Sequence, residues 1–224
     1  MKKIDAHAHI GQFGSWAGVE GTPDVLLSFM DEYEIEKTVL CAKDHNGNEG
    51  VLEAWRQHPD RFWPLVYVNP TEGAEECRRK IERYVDQEGF KGIKMNPLRH
   101  AFVADDEMVD PYSLPWSIAL LAERFPKVKV VMIHMGHGHG VYIDAAIKMA
   151  KRHPNIYLEM SGMPMGVKIK QAYEEVGADR IMFGTDFPFH HPSVEIQKVL
   201  TCGLPEAAQE DVFYNNVKKL FGNM

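Results

Sequence analysis

Ile4-Asp5-Ala6-His7-Ala8-His9 is a short β-rich run that ends in two histidines. Side chains alternate along a strand, so His7 and His9, two positions apart, share a face and can meet one ion. A second apolar run, Ile181-Met182-Phe183-Gly184-Thr185-Asp186-Phe187-Pro188, delivers an acid just before a proline that ends it. Asp186 reads equally as a turn or capping residue and as a reactive carboxylate. A third, Ile133-His134-Met135-Gly136-His137-Gly138-His139-Gly140, puts His134 at a strand end. His137 and His139 follow in a glycine-rich loop where backbone can approach a ligand closely, and each is a candidate to touch substrate or metal. The reactive side chains thus gather at the carboxyl ends of strands, where (β/α) barrels carry their active sites. Periodicity alone would also permit a doubly wound open sheet.

Outward from these stretches, β-rich runs alternate with longer helical patterns. Seven strands are expected: 4–9, 37–42, 62–68, 90–95, 128–134, 156–160 and 180–185. Helices are expected at 23–33, 72–87, 114–125, 142–152, 168–176 and 206–221. The run Val130-Val131-Met132-Ile133 is continuously apolar, as a strand covered on both faces must be. The fold class that follows is α/β, a TIM-type (β/α) barrel with about seven recognisable strands. No linker or low-complexity tract divides the chain, so residues 1–224 are expected to form one domain.

Composition narrows the function. With 224 residues, 45% of them hydrophobic, the chain can bury a substantial core without disulfides. A net charge of −7 gives no field that gathers nucleic acid or anionic lipid. Cys41, Cys77 and Cys202 form no C-x-x-C pair, which fits a reducing, cytoplasmic setting. Asp5, His7 and His9 interrupt what would be the apolar part of an export signal, and no run is long enough for a membrane helix.

Asp-Ala-His-Ala-His near the start, Ile-His-Met-Gly in the middle and Phe-Gly-Thr-Asp-Phe-Pro near the end together resemble the amidohydrolase-related family of metal-dependent hydrolases and decarboxylases. The resemblance extends through His58-Pro59-Asp60-Arg61-Phe62, Gly92-Ile93-Lys94 and 215–222, nearly the whole chain. It implies a barrel in which His7 and His9 are metal ligands, His134 is the catalytic histidine of the sixth strand, and Asp186 is both ligand and proton carrier. One departure stands out: the family's fifth strand, with its own metal-binding histidine, has no counterpart here. About one helix and one strand are missing between Asn96 and the helix that begins near Leu114. Either His134 or His100 takes the vacant coordination position, or a partner closes the barrel as a homo-oligomer, or the metal site is impaired. Lys94 either contacts an acidic substrate group, pairs with a neighbouring carboxylate, or is carboxylated to bridge two ions. Phe13, Trp16, Trp63 and Phe187 could line an aromatic pocket, with core packing favoured for Trp63.

Three or four nitrogen and oxygen ligands with an open position suit a divalent metal, zinc first and manganese next. Metal-activated water would then cleave a small-molecule amide, lactone or ester, with Asp186 moving the proton and His134 stabilising the oxyanion. The runner-up is a metal-dependent decarboxylase of an unsaturated or aromatic acid, for which Lys94 and Arg99 are the strand-end cations on offer. A degenerate, inactive barrel is the third reading.

Overall fold

The computed structural model describes residues 1–13, 18–43, 47–97, 114–137 and 140–222. Among these residues, seven strands run parallel in two groups. The first sheet has the order β1 (Lys3–His9), β4 (Ile35–Cys41), β5 (Phe62–Tyr67) and β6 (Ile93–Lys94). The second joins β7 (Val130–Met132), β8 (Ile156–Glu159) and β9 (Ile181–Met182). A small antiparallel hairpin, β2 (Gly11–Phe13) with β3 (Val19–Gly21), sits beyond β1 and has no counterpart among the expected strands.

The two sheets meet where the chain beyond β9 runs beside β1. Ala6 N–H donates to the Phe183 carbonyl, Asp186 N–H to His7, and His9 N–H to Phe187, at 2.8–2.9 Å. The expected strand 180–185 is therefore shorter as β9, but its continuation still pairs, with β1 instead of β8. The buried Asp5 carboxylate strengthens this seam, accepting from the backbone and hydroxyl of Thr185 and from His7 N–H at 2.6–2.9 Å.

Helices cover the outer face. They are α1 (Pro23–Glu32), α2 (Asn48–Gln57), α3 (Ala74–Ile81), α4 (Pro115–Arg124), α5 (Gly140–Arg152), α6 (Gly166–Val176) and α7 (Pro192–Thr201). Local chemistry sets their starts: Pro23 and Pro192 occupy the first turns of α1 and α7, and the Thr22 hydroxyl caps α1 by accepting from Val25 N–H. The tail begins as α8 (Glu206–Glu210), passes through a π-helical turn (Asp211–Asn215) and ends as α9 (Asn216–Phe221).

The larger apolar cluster lies between sheet and helices and includes Leu40, Val66, Ile147, Leu158 and Phe183. A second draws Ile4, Val39, Leu65, Val131, Tyr157 and Met182 from strands of both sheets onto Val217 and Phe221 of α9. Side chains from non-adjacent strands meet only on the concave side of a curled sheet, so this cluster is the barrel interior, stoppered by the last helix. Trp63 stacks on Phe221 there, a core residue as expected. Phe187 is also core, 3% exposed and packed in the larger apolar cluster.

The architecture is an α/β partial barrel. Among the described residues, no strand lies between β6 and β7. Trp16, Arg99, His100 and His139 lie outside the described residues. No helix among the described residues is long and apolar enough to cross a membrane.

Candidate metal centre

His7 and His9 project from the end of β1, where pairing with β4 slips between Asp5 and Ala8. Such a bulge re-aims side chains, and the two imidazoles end 4.6 Å apart, edge to face. Both are buried, at 2% and 3% exposure. Their Nε2 atoms face the same oxygen, Oδ1 of Asp186, at 3.4 and 3.6 Å. That oxygen is buried and has no hydrogen-bond partner in the protein. An orphaned buried carboxylate oxygen is costly unless a cation or donor meets it, and two imidazole nitrogens aimed at it complete a mixed donor set suited to a divalent ion.

His134 does not end a strand. It lies two residues beyond β7 in a left-handed turn, with φ of 56° at His134, 48° at Met135 and 82° at Gly136. Non-glycine residues held there cost of order 1–3 kcal/mol each and persist only where surroundings hold them. Here the Glu159 carboxylate accepts from His134 N–H at 3.2 Å, and the His134 Nδ1–H donates to the Ser161 carbonyl at 2.7 Å. Nδ1 therefore carries the hydrogen, and the Nε2 lone pair faces Asp186 Oδ2 at 3.9 Å. Donor atoms of His7, His134 and Asp186 all lie within 4.8 Å of one another. His9 is fixed likewise, its Nδ1–H donating to the Cys41 carbonyl at 3.1 Å. Asp186 itself is held at φ 53°, by its backbone contact with His7 and not as a helix cap.

Electrostatics favour neutral imidazoles. Burial pulls His7 and His9 well below the ordinary histidine range, and the positive charges of Lys94 and Lys43 add to this at both. Burial also lowers His134, against the raising pull of Asp186, although a third of its side chain meets solvent. Neutral imidazole is the form that binds metal. Lys94 closes β6, and its charge is felt at His7, His9 and His134. His137 ends the His134 turn.

Seven residues at or near the site lay outside the candidates that the sequence offers. Glu159 and Asp5 are fully buried carboxyls that moor the His134 turn and the β1 seam. Their signal was a buried acid inside an apolar strand, visible only as an exception to the pattern. His190 Nε2 stands 3.7 Å from Asp186 Oδ2, backed at 3.7 Å by Glu195, which Lys198 neutralises. Lys43 places its ammonium 4.3 Å from the Phe189 ring centre, and Phe189 packs on His9.

The family model described as amidohydrolase matches residues 4–115 and 111–222. Gamma-resorcylate decarboxylase from Polaromonas sp. (strain JS666 / ATCC BAA-500) is 28% identical over 118 residues, covering 45% of this chain and 36% of that protein. The match thus spans little more than a third of that relative's length. Among solved structures, an uncharacterized TIM-barrel protein from Bordetella bronchiseptica superposes with a TM-score of 0.79 at 20% identity, covering 99% of each chain. A dihydroxybenzoic acid decarboxylase from Polaromonas sp. JS666, holding manganese and the inhibitor 2-nitroresorcinol, gives 0.75 at 19% identity, over 99% of this chain and 97% of that one. With matches running from the first strand to the last helix, this chain belongs to the amidohydrolase family.

Proposed function

We propose that this chain is a metal-dependent decarboxylase of a small aromatic carboxylic acid, with residues 1–224 acting as one domain. His7, His9, His134 and Asp186 hold one divalent ion. The observation that carries this is the orphaned Asp186 Oδ1 faced by two neutral, buried imidazoles. Manganese, present in the similar dihydroxybenzoic acid decarboxylase, is favoured over zinc. When bound, a divalent ion supplies positive charge that grips and polarises substrate oxygens.

Decarboxylation is favoured over hydrolysis because the site carries two ammonium groups, Lys94 and Lys43, whose charge reaches both first-strand histidines. They orient an incoming carboxylate. In the reaction a proton is added to the ring carbon that bears the carboxylate. The bond from that carbon to the carboxyl group then breaks, its electron pair stays with the ring, and carbon dioxide leaves. Asp186 carries the proton on Oδ2, the oxygen that faces His134 and His190. His134, with Nδ1 tied to Ser161, holds that edge in place.

Manganese-loaded protein supplied with gamma-resorcylate and, separately, with an aromatic lactone should release carbon dioxide from the first and leave the second intact. Asp186→Asn should lower the rate by about 10²–10⁴-fold, the usual share of a positioned proton carrier. Lactone hydrolysis without carbon dioxide release would return the chain to the hydrolase reading. His7→Ala and His9→Ala should each lose stoichiometric metal, and unchanged metal content in either would end the site assignment.

A further inference from the structure

We propose that Cys41, His7 and His9 form a second, thiophilic metal site on the imidazole edges that face away from Asp186. Cys41 ends β4 and pairs with His9 in the strand register, fully buried. Its Sγ stands 3.4 Å from Nδ1 of His9 and 3.9 Å from Nδ1 of His7, and the three donors lie within 4.8 Å of one another. Zinc bonds of about 2.3 Å to sulfur and 2.1 Å to nitrogen place neighbouring tetrahedral ligands about 3.6 Å apart. Both sulfur–nitrogen pairs already stand close to that spacing.

A neutral imidazole has one lone pair, on one nitrogen or the other. With the hydrogen on Nδ1, the lone pair faces Asp186. With the hydrogen moved to Nε2, which gives up the His9 Nδ1–H bond to the Cys41 carbonyl, the lone pair faces Cys41, and the Nε2–H points at the Asp186 carboxylate. An ion on the sulfur side and an ion on the carboxylate side therefore exclude each other. Ligand softness divides them: manganese and magnesium suit the carboxylate side, zinc and cadmium the thiolate side. Without an ion, the Cys41 S–H is directed at the Ala8 carbonyl. Binding releases that one proton to solvent as the metal–sulfur bond forms. The site stands whatever the reaction is. Only its consequence, inhibition by thiophilic ions, rests on the decarboxylase reading.

The test is cadmium titration of metal-free protein, read by the ultraviolet thiolate-to-cadmium absorption with no substrate present. Wild type and the Cys77→Ser/Cys202→Ser double variant should show the band, saturating at one equivalent. Cys41→Ser and Cys41→Ala, both made in case one folds poorly, should lack it. Manganese bound to wild type, followed by its paramagnetic resonance, should be displaced by cadmium at a concentration at least ~10-fold lower than in Cys41→Ser, as for loss of one donor. A band that survives in the Cys41 variants, disappears in the double variant, or is absent from wild type overturns the proposal.

Discussion

Three donors converge on the Glu159 carboxyl: the N–H of His134, and the N–H and hydroxyl of Ser161. Burial nonetheless dominates and pushes its pKa up to about 8, while Asp5 is raised to about 7 for the same reason. A carboxyl whose pKa rises on folding binds its proton more tightly folded than unfolded, so stability falls as pH rises from the unfolded value to the folded one. The buried histidines act in the opposite sense, adding stability as pH rises toward 6.5, and contribute little beyond it. Above pH 6.5 the carboxyls are left. Metal-free protein should therefore lose on the order of 1–2 kcal/mol between pH 6.5 and 8, and Glu159→Gln should remove most of that slope. Denaturant melts at the two pH values decide it, and a flat wild-type profile would refute the assignment. His7, His9 and Asp186 were legible because strand ends and period-two spacing announce them. Glu159, His190 and Lys43 were not, because their roles depend on which strand lies beside which, and no local pattern encodes that.

At the scale of elements, the site depends on the seam between β1 and the chain beyond β9. Gly184 sits in that seam because nothing larger fits: a Cβ there would lie 2.3 Å from Glu159 Oε1 and 3.3 Å from His7 Cβ. The carboxylate cannot swing away, since it is fully buried and bound to the His134 turn. Gly184→Ala should cost about 1–3 kcal/mol by overpacking and also weaken metal binding, because the strain falls first on Glu159, which moors the His134 turn, and then on His7. A thermal melt and a metal titration on the same variant test both, and unchanged values in each would show the seam to be looser than drawn. All seven parallel strands were legible from alternating β-rich and helical runs, but their lengths were not. The strands expected at 128–134 and 90–95 shrink to Val130–Met132 and Ile93–Lys94. Apolar content marks burial, whereas ladder pairing ends where the chain turns toward the site. The β2–β3 hairpin was missed because three-residue strands carry no readable alternation.

Across the whole molecule, the curl is closed on one side only by pairing among the described residues. β1 has β4 on one flank and residues 183–187 on the other, while β6 pairs with β5 alone and β7 with β8 alone. The two family matches overlap at 111–115, between those same two strands. An edge strand opens without breaking a ladder on its second side, so its amides should exchange through local openings well below the global unfolding energy. β6 adds to this its brevity and the exposure of Ile93, 45%, and Met95, 38%. Hydrogen exchange followed by mass spectrometry should therefore find Ile93–Lys94 exchanging at least ~10-fold faster than the central strand Ile35–Cys41, a difference of about 1.4 kcal/mol in opening energy. Equal protection of the two would mean that something pairs with β6. Repeating the measurement across a dilution series would then identify it: protection lost on dilution marks a second copy of the chain, and protection independent of concentration marks closure by the chain itself.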